Sequence, residues 1–155
     1  MDDNLFRVRF ERQYRAKYDG ADPAGFTALD LVGALGSVGN ALLYSRLFWP
    51  EFIEVDGMVF LKDFADDLGG PDGIRKMRSD LGGEQSIEKS VNNFDVNLSF
   101  PNHPEENAEG DDLLLANQLA KMWSLRLQQL YTTRRFRVEV NEDNGSPCVY
   151  FFEEV

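Results

Sequence analysis

Residues 52–61, Phe-Ile-Glu-Val-Asp-Gly-Met-Val-Phe-Leu, constrain the fold more than any other stretch of this chain. Asp56-Gly57 is a sequence suited to a two-residue type I′ turn, whose positive φ angles match the right-handed twist of flanking strands. β-Branched and aromatic residues lie on both sides, so a tight antiparallel hairpin is expected, with Val55 opposite Met58 and Ile53 opposite Phe60. That register puts those four residues on one face and Phe52, Glu54, Val59 and Leu61 on the other. Both faces are largely apolar, and both are expected to be covered.

A second hairpin closes the chain. Phe136, Val138 and Val140 alternate with Arg137 and Glu139, an Asn144-Gly145 turn follows, and Cys148 to Phe152 return. Before it, Asp111 and Asp112 are expected to cap a long helix near residues 111–131. Its buried face is read as Leu115, Leu119, Met122, Trp123, Leu127 and Leu130. Upstream, Thr27 and Asp30 form a capping pair ahead of Leu29, Val32, Leu35, Val38, Leu42 and Leu43, the most apolar helical stretch. Pro50 disfavours helical geometry at Trp49, so that helix should stop near Phe48. Gly33, Gly36 and Gly39 inside it invite close backbone approach or a kink.

The remaining segments are less regular. Residues 5–18 read as a helix, with Phe6, Phe10, Tyr14 and Tyr18 spaced by four, although Phe6, Val8 and Phe10 also alternate as in a strand. Residues 62–94 read as short helices, because Asp67-Leu-Gly-Gly70 and Asp80-Leu-Gly-Gly83 are helix stops. Residues 97–110 have turn chemistry and are expected to form a mobile loop. The fold class is therefore α+β in a single domain spanning 1–155, with two β-hairpins joined into one antiparallel sheet and packed by α-helices. The 155 residues are enough to bury a core without staples.

Charge narrows the partners. Sixteen basic against 27 acidic residues give a net charge of −11, which repels phosphate backbones and anionic lipid surfaces. Neither direct nucleic-acid binding nor membrane binding is expected. The acids concentrate in residues 51–67, 105–112 and 139–155, which together sum to −15 and leave about +4 for the rest. No apolar run reaches the length of a spanning helix, the start lacks a basic region followed by an apolar stretch, and Cys148 is the only cysteine. A cytoplasmic protein without disulfides is expected.

Catalytic constellations are poorly specified. Cys148 and His103 are each the only residue of their kind, with no spacing that pairs them as nucleophile and base. His103 with Glu105 and Glu106 lacks the helical i, i+4 geometry of a zinc motif, and Asn141-Glu142-Asp143 lacks the spacing of a calcium loop. Gly33-x-x-Gly36-x-x-Gly39 follows no strand and has no Walker lysine. No catalytic residue, cofactor or metal is expected.

What stands out instead is an acidic rim around the first hairpin: Glu51, Glu54, Asp56, Asp63, Asp66 and Asp67, beside the corner Trp49-Pro50-Glu51-Phe52. Trp49 taken singly is expected in the core. With the acids it forms a candidate binding surface, since aromatic anchors dominate interface energetics. The expected function is a non-catalytic acidic module that binds a basic protein, an antitoxin or immunity-type inhibitor being its most concrete form. The alternatives are a carboxylate-based, metal-dependent hydrolase, and a structural or assembly subunit whose hairpin faces pair between chains.

Overall fold

In the computed structural model, Asp56 and Gly57 adopt φ angles of 51° and 88°, and the type I′ turn closes as expected. The structure describes residues 27–81, 84–100, 110–142 and 146–154. Around the turn, β1 (Phe52–Val55) pairs antiparallel with β2 (Met58–Leu61), with Val55 opposite Met58 and Ile53 opposite Phe60. Both faces of β2 are covered, and all four of its residues are buried.

Contacts divide the chain into two compact units, Met1–Ser45 and Arg46–Val155. In the first, α1 (Ala28–Leu35) starts from a capping box: Thr27 Oγ1 accepts from the Asp30 amide, and the Asp30 carboxylate accepts from the Thr27 amide at 2.7 Å. The single helix expected over 27–48 breaks at Gly36-Ser37, and α2 runs Val38–Phe48. Gly36 is the residue at which the turn closes, its amide bonded to the Val32 carbonyl at 2.8 Å. A Cβ there would sit 2.5 Å from that carbonyl oxygen, so only glycine fits. Along this most apolar stretch, Leu29, Val32, Val38, Leu42 and Leu43 are 62–80% accessible. The reading of residues 5–18 lies outside the described residues.

In the second unit, α3 (Lys62–Asp67), α4 (Gly70–Leu81) and α5 (Glu84–Val91) follow the hairpin. The first glycine pair does end a helix, with Gly69 and Gly70 at φ 92° and 69°. A short β3 (Phe94–Asp95) leads into one turn of helix, α6 (Val96–Ser99). That turn occupies the start of the stretch expected as a mobile loop over 97–110, and residues 101–109 lie outside the described residues. The long helix is α7 (Asp111–Leu130), as expected. Gly110 is its N-cap, so Asp111 and Asp112 sit in the first turn, where they oppose the positive end of the dipole without capping it. Leu119, Trp123 and Leu127 are buried, whereas Leu130 is exposed. β4 (Phe136–Asn141) and β5 (Cys148–Glu153) form the second hairpin.

The fold is α+β, but the hairpins do not merge into one sheet. β1 and β2 stand as a pair, and a second sheet has the order β3-β5-β4. The reason lies in α5. In the β1–β2 register the backbone groups of Val59 and Leu61 point away from β1. They meet side chains instead of a strand. Glu88 accepts from the amides of Val59 and Glu153 at 2.9 and 2.8 Å. Asn92, one turn later, accepts from the Leu61 amide and donates to the Val59 carbonyl, both at 2.9 Å, and donates to the Phe151 carbonyl at 3.3 Å. Glu88 and Asn92 are the buried polar pair of the core, and through them β2 and β5 are joined without a shared ladder.

Two apolar clusters hold this joint. On one side Trp123, Leu119 and Leu127 of α7 pack with Val59, Leu61, Val149 and Phe151. Trp123 meets Phe151 and Phe94 edge-on, with ring centres 6.3 and 6.2 Å apart. On the other side Val55, Met58 and Phe60 pack with Ile74 of α4 and with Ile87 and Val91 of α5. Each fully buried side chain of this size contributes about 1.5–3 kcal/mol relative to leaving it in water.

Candidate functional site

The corner at Trp49 is set by α7. The Trp123 indole donates to the Leu47 carbonyl at 2.8 Å, fixing the last turn of α2, and Pro50 just beyond it is buried. Trp49 itself is 43% accessible, which overturns its expected place in the core. The Arg126 guanidinium of α7 lies 5.2 Å from its ring centre, within cation–π range.

From this corner the hairpin and α3 present the acids. Glu51, Glu54, Asp56, Asp63, Asp66 and Asp67 are all exposed, because β2 and Ala65 of α3 supply the buried base on which they stand. The six candidates therefore belong to one continuous run of chain built on a buried foundation.

The structure also shows what the sequence reading missed, namely the cations among these acids. Asp56 at the turn faces Arg75 at 3.4 Å and Arg78 at 4.0 Å, both from α4. Those arginines in turn reach Asp72 at 2.9 Å and Glu84 at 2.7 Å. Asp63 pairs with Arg46, and Asp66 pairs with Lys62 at 2.6 Å across one helical turn. The Asp66 hydrogen bond, followed by its charge, raises the Lys62 ammonium above its ordinary pKa. Glu54 faces Arg134 at 3.4 Å. Among the described residues no cation lies within 4 Å of Glu51 or Asp67.

Arg134 organises more than one acid. Its Nε donates to Glu153 at 2.9 Å, its terminal nitrogen donates to both Glu153 and the Gly57 carbonyl, and its plane lies 5.5 and 5.2 Å from the rings of Tyr131 and Phe136. It thus ties the first hairpin turn to the end of β5. Hydrogen bonding to Glu153 raises its pKa further, against the opposing effect of burial. Arg134 lies in the Thr-Thr-Arg-Arg link between α7 and β4. Nothing in that link distinguishes it from the exposed Arg135 beside it.

These pairs leave the acids accessible. The side chains of Glu54, Asp63 and Asp66 remain 55%, 56% and 51% exposed while paired. Exposed pairs of this kind are worth about 0–1 kcal/mol, little enough for a partner's cation to exchange with the internal one. The net charge already counts every one of these cations, so the long-range field stays that of −11.

Of the other chemistry considered, Cys148 lies half-buried in β5, its sulfur 3.8 Å from the Ser146 carbonyl oxygen. His103, Glu105 and Glu106 lie outside the described residues. Among the described residues no three His, Cys, Asp or Glu side chains are grouped to hold a metal ion, and no helix is long and apolar enough to cross a membrane. In comparisons with protein-family models, with curated proteins and with solved structures, no match to this chain is found.

Proposed function

We propose that this chain is a non-catalytic protein-binding module that receives a basic protein on the acidic rim of β1, β2 and α3, with an antitoxin or immunity-type inhibitor as its most concrete form. The observation that supports this reading is the combination of a buried foundation with six exposed acids and the exposed Trp49. Rigid presentation lowers the ordering cost of binding, and the net charge steers a basic partner toward encounter. The hydrolase alternative draws less support, because Asp63 and Asp66 each hold a basic side chain and stand about half in solvent. Acid–base carboxylates work in environments that set their proton affinities apart.

The test is capture of partners by the tagged chain from the native cell extract at low and high salt, with the double variant Glu51→Gln/Asp67→Asn in parallel. Among the described residues neither of those acids holds an ion pair, so the variant lowers the charge of the rim while sparing the pairs described above. A basic protein retained at low salt, released at high salt and captured less by the variant is the expected result. Equal capture by the variant, or no salt-sensitive basic partner, refutes the reading.

A further inference from the structure

We infer that the outer edge of β4 pairs antiparallel with the same edge of a second copy of this chain. The ladder to β5 fixes which groups that edge presents. The Glu154 amide donates to the Arg135 carbonyl at 2.9 Å, which makes 135 and 154 a hydrogen-bonded pair in the register that sets Phe136 opposite Glu153. Antiparallel pairs alternate, so Arg137 and Glu139 turn their backbone groups toward β5, and Phe136, Val138 and Val140 turn theirs outward. The far side of β5 obeys the same alternation: the Phe151 carbonyl and the Glu153 amide face away from β4 and meet Asn92 and Glu88. Outside β4 there is no counterpart to α5. Among the described residues no strand adjoins this edge, and no side chain bonds the amides or carbonyls of Phe136, Val138 and Val140.

The side chains select the occupant. Pairing about a two-fold axis at Val138 sets Val138 opposite itself and Phe136 opposite Val140, so that each outward amide meets an outward carbonyl. In that register Arg137 of each copy lies directly opposite Glu139 of the other, at the non-hydrogen-bonded positions where side chains come closest. Arg137 meets Glu139 of its own strand through Nε alone, at 2.6 Å, and its side chain is 59% exposed, so its terminal nitrogens can reach a second carboxylate. Shifting the register by two residues either way sets Arg137 against Arg137 or Glu139 against Glu139. The edge is thus complementary to itself in one register and opposed by like charge in its neighbours.

Packing and closure agree with this pairing. Phe136, Val138 and Val140 are half-buried against the cluster around α7, and the joint sets them beside their counterparts. It also uses up both β4 edges, leaving only the two-residue β3 at either end of the joined sheet, so growth stops at two copies. The inference does not rest on the reading given for the acidic rim.

The test is sedimentation velocity of the full chain across a range of micromolar concentrations at about 0.15 M salt, where screening over about 8 Å limits the repulsion between two copies. Arg137→Glu and Glu139→Arg are compared singly and mixed. Each variant alone sets like charges across the joint and should weaken dimerisation by about ten-fold or more, whereas the equimolar mixture restores opposite charges and should dimerise like the unaltered chain. Rescue by mixing is an outcome that lost stability within either variant does not produce. Hydrogen exchange of the unaltered chain decides the matter if a variant fails to fold: the Phe136, Val138 and Val140 amides should slow as the dimer fills, while those of Arg137 and Glu139 are protected throughout. A monomer at every concentration overturns the proposal. So does a dimer whose three outward amides exchange as fast as in the monomer, or a mixture of folded variants no tighter than either alone.

Discussion

Replacing Asn92 by alanine is expected to cost more than any surface change in this protein. Asn92 is fully buried and satisfies the Leu61 amide and the Val59 carbonyl at 2.9 Å each, with a longer bond to the Phe151 carbonyl at 3.3 Å. Alanine leaves two well-bonded backbone groups and one weaker one without partners at a fully buried position. At about 1–3 kcal/mol for each buried group left unsatisfied, the expected loss is about 3–5 kcal/mol. Against a typical total stability of about 5–15 kcal/mol, that is a large fraction. At about 2–4 °C per kcal/mol for a chain of this size, it corresponds to a fall in Tm of roughly 10 °C.

Urea unfolding followed by tryptophan fluorescence measures the effect. Asn93→Ala, at the exposed neighbouring position, serves as the control, expected within about 0.5 kcal/mol of the unaltered chain. Hydrogen exchange should quicken at the Leu61 amide in the Asn92 variant. If the two alanine variants lose the same stability, the side-chain joint between β2 and β5 carries no energetic weight and the reasoning fails.

Three further outcomes are expected. Burial raises the Glu88 carboxyl above its ordinary pKa, outweighing the Glu153 and Val59 amides that favour its anion. The folded state therefore holds this proton more tightly than the unfolded chain. The associated stability is fully present below about pH 4.5 and is lost as pH rises through the folded value; in Glu88→Gln, denaturant titrations across pH should lack that decline. Arg134→Lys keeps the charge but loses the fork to Glu153 and the bond to Gly57, and should cost about 1–2 kcal/mol in urea unfolding, whereas Asp63→Asn at an exposed pair should stay within about 0.5 kcal/mol. Gly57→Ala forces a Cβ into a turn position at φ 88° and should cost about 1–2 kcal/mol by the same measurement.

Local chemistry was legible in the sequence wherever it decides structure within a few residues. The Asp56-Gly57 turn, the Val55–Met58 register, the Thr27–Asp30 capping box and the helix over 111–130 all follow from spacing and side-chain type. What long-range contact decides was not legible. Glu88 and Asn92 each follow a buried apolar residue, Ile87 within α5 and Val91 at its end, and no property of a glutamate or an asparagine in a sequence separates one that bonds a distant strand from one in water. The same ambiguity misplaced Trp49, an aromatic residue whose neighbour across the corner is an arginine from α7. Apolar periodicity marked the α1–α2 stripe as helical, but periodicity records only that a face is apolar and not what lies against it. For the candidate rim, the acids and Lys62 were readable from the run 51–67, whereas the other cations arrive from residues 46, 75, 78 and 134.

The way α5 closes the outer side of β2 has a consequence for colony-like growth of the fold into fibres. A free strand margin offers alternating donors and acceptors that any other extended peptide can copy, and the segment Phe52–Leu61, rich in aromatic and branched residues, would be an effective template. A carboxylate and a carboxamide fixed on a helix match those groups once and offer nothing further to copy. Unseating α5 while leaving the hairpin formed therefore exposes a sticky template, and variants that loosen Ile87 or Val91 are the ones in which thioflavin-positive deposits should first be seen.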